Sequence, residues 1–249
     1  MANKLETILR RYGKTARKTS GTVLAAATGS AAKGMTPELV EKLSAAVGQP
    51  VRVLTDTREA MLSSLAARIR LYPSAPGLLI YAGSSFTYVA LTDGRNITSE
   101  TMLPIGTTKL SGVLVVDPPG ALSWAMLARR VGFACRNLPK GQPTSVIATG
   151  SATHNLIGFD RTTDEYNPKS LCTPDLATLA DELMALTTKK LERRRGEDRR
   201  RIAMLHPGLI IIASILEHYG LSSATVVPEG VREGIIAAGA FSPDAWWKE

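Results

Sequence analysis

The sequence predicts a mixed α/β fold, and three observations carry that prediction. Residues 78–81, 87–91 and 97–103 are short strand-like runs set close together, with Asp93-Gly94 as a hairpin turn between the last two. Helical and strand-like segments alternate around this group. Near the C-terminus, Val226-Val-Pro-Glu-Gly-Val-Arg-Glu-Gly-Ile-Ile236 passes from a strand into a helix. A strand-to-helix turn gathers anions because its free backbone N–H groups point outward.

The other elements follow in order. Residues 5–17 form an amphipathic helix with Arg10, Arg11, Lys14 and Arg17 on its polar side. Residues 21–27 form a short apolar strand. Thr36-Pro37-Glu38 starts a helix with a capping hydroxyl followed by proline, and that helix runs to about Val47. A second strand spans 50–54 and a helix spans 58–71. Pro73-Ser-Ala-Pro-Gly77 reads as a linker, which divides the chain into domains at 1–72 and 78–249. Beyond the three strands come a helix at 121–136, a strand at 145–148 leading into Thr149-Gly150-Ser151-Ala152, and helices at 175–195 and 207–219. A last strand at 224–227 and a helix at 235–239 complete the chain. No internal repeat is visible.

The chain has 249 residues, 44% hydrophobic and 21% charged, which is a globular balance with enough chain to bury a core. Its formal charge of +8 favours an anionic partner. Cys135 and Cys172 stand in no metal or redox spacing and read as thiols in a reducing cytoplasm. The N-terminus lacks a signal-peptide core, and the apolar run at 209–216 is too short to cross a bilayer, so it reads as a buried helix and no membrane role is expected. No Walker A motif, zinc spacing or Ser–His–Asp pattern is present.

Six collinear segments resemble the exopolyphosphatase / guanosine pentaphosphate phosphatase (Ppx/GppA) family. Val53-Leu-Thr-Asp-Thr-Arg-Glu-Ala60 is similar to the family's ISGxEEA loop, and Leu79-Ile-Tyr-Ala-Gly-Ser-Ser-Phe-Thr87 stands where the family has VIDIGGGST. Met102-Leu-Pro-Ile-Gly-Thr-Thr-Lys-Leu110 resembles SLPLGxVRL, and Ile147-Ala-Thr-Gly-Ser-Ala152 resembles GTGGT. Pro207-Gly-Leu209 and Arg232-Glu-Gly234 complete the order, the latter matching GLREG. The resemblance implies an actin/hexokinase-like fold of two ribonuclease-H-like halves. It implies glycine loops that hold phosphates, a divalent cation such as Mg²⁺, and a carboxylate that positions water for attack on a terminal phosphoanhydride of polyphosphate or guanosine pentaphosphate.

The resemblance carries Glu59 to the catalytic carboxylate position. It carries Gly83, Ser84, Ser85, Gly150, Ser151 and Arg232 to the phosphate-binding positions. Each has a plainer reading: Glu59 as a first-turn acid favoured by the helix dipole, Gly150 and Ser151 as a turn, and Arg232 as half of a structural ion pair with Glu233. Lys33 and His154 are secondary candidates.

The departures matter as much. The family's acidic positions are Tyr81 and Tyr88, two of its three glycines are Ser84 and Ser85, and the Arg and Asn of its ATSALREAxN segment are Ala32 and Thr36. A phenol stays protonated at neutral pH and does not replace a carboxylate as an ion ligand. The resemblance begins near the family's fourth strand, so the expectation is an N-terminally truncated, degenerate member with an incomplete first half and weak or lost catalysis. No metal ligands are assigned.

A two-strand remnant with an open apolar edge calls for a cover. The candidates are the N-terminal helix, a second copy in a homodimer, or a separately encoded first half. The basic run at 189–201 suits a polyanionic phosphate ligand or a solvated helix end, and nucleic acid is the lesser reading. Trp246 and Trp247 read as exposed, free to dock on a partner or back on the domain. A phosphoanhydride hydrolase and a non-catalytic binding or regulatory protein are therefore the two function classes.

Overall fold

A computed structural model describes residues 2–71, 75–112, 116–157, 169–196 and 199–248. Pro73 and Ser74 of the linker, and Glu197 and Asp198 of the basic run, lie outside the described residues. The chain forms two compact units, residues 1–62 with 231–249, and residues 63–230.

The first unit holds α1 (Ala2–Thr19), β1 (Ala25–Ala27), α2 (Gly29–Lys33), α3 (Pro37–Val47) and β2 (Val51–Val53). It also holds the first turns of α4 (Asp56–Leu71) and all of α11 (Val231–Phe241). The cap read from the sequence is present: Leu39 N–H donates to Thr36 Oγ1 at 3.3 Å, and Pro37 opens α3. At the other end Gly48 adopts the left-handed conformation that stops a helix (φ 77°). Ser44 then ties α3 to β2 by accepting from Val51 N–H at 2.9 Å. β1 and β2 pair in parallel, and β1 has no second strand partner among the described residues. Ala25, Leu43, Val47 and Val51 form a small core, with Leu9 of α1 packed against it.

α11 belongs to this unit although it lies far along the sequence from it. The linker reading at 73–77 gave no hint of that return, because the docking rests on small residues rather than on an apolar run. An added Cβ on Gly234 would lie 2.0 Å from the Leu62 carbonyl oxygen, and one on Gly239 would lie 2.4 Å from Leu24 Cδ1. The tail follows α11 inward. Trp246 is 3% exposed, Arg58 Nε donates to its carbonyl at 2.8 Å, and the Arg52 guanidinium lies 3.6 Å from the Trp247 ring centroid. The expected exposure of Trp246 is thus corrected: two arginines draw the tail back onto the unit.

The second unit is built on a six-stranded sheet of order β5-β4-β3-β6-β8-β7. Its strands are β3 (Gly77–Ala82), β4 (Thr87–Thr92), β5 (Ile97–Leu103), β6 (Val146–Thr149), β7 (Lys169–Cys172) and β8 (Ser223–Val226). β3, β6 and β8 run parallel, whereas β4, β5 and β7 are antiparallel to their neighbours. This is a ribonuclease-H-like arrangement with an added edge strand. The Asp93 carboxylate closes the β4–β5 hairpin by accepting from Arg95 and Asn96 N–H at 2.8 and 2.7 Å, and these bonds lower its pKa.

The helices are α5 (Thr107–Ser111), α6 (Ala121–Cys135), α7 (Ser151–Leu156), α8 (Thr173–Ala185), α9 (Thr188–Arg195) and α10 (Arg199–His218). The single helix expected over 175–195 is two, because the Thr187 hydroxyl accepts from Lys190 N–H and starts α9 afresh. The basic run at 189–201 is divided between α9 and the start of α10, where Arg194 and Arg195 pair with Glu182 at 3.3 and 3.0 Å.

α10 also begins earlier than expected and carries Pro207 in its interior. Packing offsets the backbone bond that a proline removes: Ile202, Ile211, Ile212, Ile215 and Leu216 are fully buried. By length and composition α10 is apolar enough to cross a membrane, but 61% of that stretch is buried inside the protein.

A buried thiol and a half-buried phenol in this unit give a pH prediction. Burial raises the Cys135 thiol from 9.0 to about 11, and burial raises the Tyr219 phenol from 10.0 to about 12, with Cys135 adding to it. The Tyr219 hydroxyl donates to the Pro139 carbonyl at 2.7 Å. A folded pKa above the unfolded value means the stabilising contribution is intact below the unfolded pKa and is lost as pH rises through the folded one. Thermal melts should therefore show stability falling as pH rises from 9.0 towards about 11, with a shallower fall in a Cys135→Ala/Tyr219→Phe variant.

Candidate functional site

The parallel strands β3, β6 and β8 end at the same edge of their sheet, and ligands of open α/β sheets bind at the carboxyl ends of such strands. Three loops meet there: residues 83–86 after β3, Gly150 after β6, and residues 227–230 after β8. Gly150 has φ 104° and ψ 168°, a region open essentially to glycine alone. A Cβ on it would lie 2.5 Å from the Ala82 carbonyl oxygen. The β6 loop is thereby pressed against the end of β3, and the structure brings Gly83, Ser84, Ser85, Gly150 and Ser151 into one region of the second unit.

Side chains lock the β6 and β8 loops together. Thr149 Oγ1 donates to the Glu229 carbonyl, and His154 Nε2 donates to the Val227 carbonyl at 2.8 Å. His154, read from sequence as a loop residue, is a helical latch in α7. Thr153 Oγ1 donates to the Gly150 carbonyl at 2.9 Å and holds the turn from below.

The 83–86 loop divides its donors. Gly83 N–H donates to the Phe86 carbonyl at 3.0 Å, so it closes the turn. The Gly83 and Ser84 carbonyls accept from Thr107 and Thr108 N–H at 3.2 and 2.9 Å, which staples the loop to α5. The N–H groups and hydroxyls of Ser84 and Ser85 donate no hydrogen bond among the described residues. Their N–H groups and hydroxyls are the donors this loop offers to an anion, with Ser151 exposed beside them at the start of α7.

Where the family resemblance expects acids, the unit has phenols. Tyr81 and Tyr88 are direct partners across β3 and β4, and both are buried. The Tyr81 ring lies against Gly83, with its hydroxyl 3.2 Å from that residue's Cβ position, and its centroid is 5.4 Å from the Phe86 ring. The Tyr88 hydroxyl donates to the Glu100 carboxylate. Burial, followed by that hydrogen bond, pushes the Tyr88 pKa well above the ordinary phenol value.

No group of three or more His, Cys, Asp or Glu side chains comes together among the described residues. Neutral phenols at 81 and 88 add no anionic oxygen. No step below is routed through a metal ion.

Glu229 is a residue the sequence reading passed over. Its Oε1 lies 3.2 Å from Arg70 Nε, while Oε2 is buried with no hydrogen-bond partner among the described residues. The signal was present in the strand-to-helix passage, but only the fold sets the Glu229 carbonyl on Thr149, next to the Gly150 turn.

In the first unit Glu59 sits in the opening turn of α4, where Thr55 Oγ1 accepts from Arg58 N–H at 3.1 Å. The Glu59 carboxylate is buried at 8% exposure, and Oε2 lies 3.7 Å from the Cβ position of Gly29, in the turn after β1. Lys33 is exposed at the end of α2. Arg232 is exposed in the first turn of α11 and forms no ion pair among the described residues.

The family model of the Ppx/GppA phosphatase family matches residues 4–240. Among solved structures, the chain is similar to the PPX-GPPA enzyme of Aquifex aeolicus, with a TM-score of 0.84 at 21% identity, covering 95% of this chain and 82% of that one. It is similar also to an exopolyphosphatase from Cytophaga hutchinsonii, with a TM-score of 0.77 at 17% identity, covering 98% of this chain and 83% of that one. At such identities the likeness establishes the fold, which is the actin/hexokinase-like α/β fold expected from the resemblance. A search of the curated proteins finds no match. With its loops in the family's order and the family model spanning nearly its whole length, the chain belongs to the Ppx/GppA phosphatase family.

Proposed function

We propose that this protein binds the terminal phosphates of a phosphoanhydride chain, polyphosphate or guanosine pentaphosphate, and hydrolyses them weakly or not at all. The observation that carries the reading is the buried Tyr81–Tyr88 pair beside a loop that still offers free donors at Ser84 and Ser85. Phosphate oxygens need N–H and O–H donors, and within the second unit the Ser84–Ser85 loop and the Gly150 turn supply them; Arg232 offers a positive charge in the first unit. Turnover needs more, because phosphoryl transfer depends on neutralising developing charge. Loss of one preorganised electrostatic contact costs about 10²–10³ in rate. Two neutral phenols in place of two acids therefore reduce turnover far more than binding.

Glu59 is the residue assigned to orienting the attacking water in whatever hydrolysis persists. The same observation favours a second reading, a non-catalytic binding or regulatory protein. Cytoplasmic location is part of the proposal, supported by the free thiols Cys135 and Cys172.

Glu59→Gln separates the readings. If residual hydrolysis exists, phosphate release should disappear in the variant, while affinity for tripolyphosphate is kept or improved by removal of a negative charge. Release that persists unchanged in Glu59→Gln would remove Glu59 from the chemistry.

A further inference from the structure

The first unit carries a charged groove that the phosphate loops do not account for. It lies between α1 and α3, encloses about 630 Å³, and is lined by Glu6, Arg10, Lys14, Arg17, Lys42 and two alanines of α3. Arg10, Lys14 and Arg17 share one face of α1 by their spacing and span roughly 10 Å along its axis. Lys42 faces them from α3.

Close helix contact fixes this wall. A Cβ on Gly13 would lie 2.2 Å from the Val47 carbonyl oxygen, so α1 and α3 cross backbone to backbone beside Lys14. The Arg17 guanidinium reaches over the end of α3, with Nη1 3.2 Å from the Cβ position of Gly48.

The charges in the groove are not balanced from within. Glu6 binds Arg10 at 2.6 Å and Lys42 at 2.9 Å, and these two hydrogen bonds, Lys42 first, lower its pKa. Lys14 and Arg17 have no acidic partner among the described residues. Like charges a turn apart destabilise a helix unless a counter-charge relieves them. The groove also lacks an aromatic side chain. Grooves for single-stranded nucleic acid pair cations with aromatic rings on which bases stack, and this one offers the cations without the stacking platform.

We propose that the α1–α3 groove is a second binding site, a track for an extended chain of inorganic phosphates. This inference rests on the reading of the protein as a binder of phosphoanhydride chains. A long chain contacts Lys14 and Arg17 through successive phosphates and releases counterions as it does so. A short chain held at the strand-end loops gains nothing from them.

The test compares wild type, Lys14→Gln/Arg17→Gln, and a control of equal charge loss outside the groove, Arg11→Gln/Lys18→Gln. Each is titrated with long-chain polyphosphate, tripolyphosphate and single-stranded RNA over a range of salt, with helicity checked by circular dichroism. The groove variant should bind long-chain polyphosphate about tenfold more weakly, with a salt slope lower by about two. Its tripolyphosphate affinity should be unchanged, and the control should lose less than about twofold. Equal losses in groove variant and control would overturn the proposal, as would a wild type that binds no long-chain polyphosphate. RNA binding as tight as polyphosphate and equally sensitive to the groove variant would overturn the choice of ligand. A wild type that ignores tripolyphosphate yet loses long-chain binding in the groove variant would keep the groove and discard the reading of the loops.

Discussion

Replacing Gly150 with alanine should destabilise the second unit by about 4 kcal/mol and abolish binding of tripolyphosphate. Two effects combine. The backbone at φ 104° and ψ 168° is one that a residue with a Cβ avoids, and the added carbon lies 2.5 Å from the Ala82 carbonyl oxygen. Neither atom can rotate away, since the position of a Cβ is fixed by its own backbone and the oxygen belongs to main chain, and Ala82 is paired to Thr87 within the sheet. For a chain of this size the loss corresponds to roughly 8–16 °C in melting temperature. Ser151→Ala, one residue on and exposed, should leave stability within about 0.5 kcal/mol of wild type. A Gly150→Ala protein that melts with wild type would show that the β6 loop is not pressed against β3 as described.

Gly234→Ala should damage the first unit in a different way. An added Cβ would stand 2.0 Å from the Leu62 carbonyl, so α11 must lift from α4 by more than an ordinary side-chain adjustment. Overpacking of this kind costs about 3 kcal/mol, or roughly 6–12 °C. The tail should report it, because Trp246 is buried and its carbonyl is held by Arg58. Lifting α11 exposes Trp246 and shifts tryptophan emission to the red. Ile236→Ala, on an exposed face of the same helix, should change neither signal. The glycine of Arg232-Glu233-Gly234 thus has a packing reason that stands apart from any phosphate contact. Red-shifted emission without loss of stability would mean that the tail, and not α11, depends on Gly234.

The legible parts of the fold were those written in local chemistry. Thr36-Pro37 announced α3 because a hydroxyl cap and a proline act within one turn. Asp93-Gly94 announced the β4–β5 hairpin because the aspartate bonds to the backbone two and three residues on. The break between α8 and α9 was hidden, since the apolar periodicity runs through Leu186 and only the Thr187 cap interrupts it. α10 was read as starting at Pro207, because the burial that sustains it on both sides of the proline is a tertiary property. β7 escaped notice as an edge strand with one buried residue, Leu171.

The candidate site was legible in position more than in state. Glycines after strands marked the loops at 83 and 150, and a first-turn acid marked Glu59. That Gly83 N–H is consumed by Phe86, leaving Ser84 and Ser85 as donors, follows from turn geometry that composition does not encode. Tyr81 and Tyr88 were visible as substitutions, but their pairing is set by the β3–β4 register and the hydrogen bond to Glu100 by the β4–β5 register. Glu229 became a site residue only once β6 and β8 were neighbours.

Phosphate binding is expected to outlast turnover in this protein. The most direct test is phosphate release from tripolyphosphate with added Mg²⁺, measured beside calorimetric binding of the same ligand. Enzymes commonly turn over at about 1–10³ s⁻¹, and two lost contacts of about 10²–10³ each lower that steeply. Measurable binding with turnover below about 0.1 s⁻¹ is the expected result. Release at about 10 s⁻¹ or faster, abolished in Glu59→Gln, would contradict it and make the protein a working phosphatase.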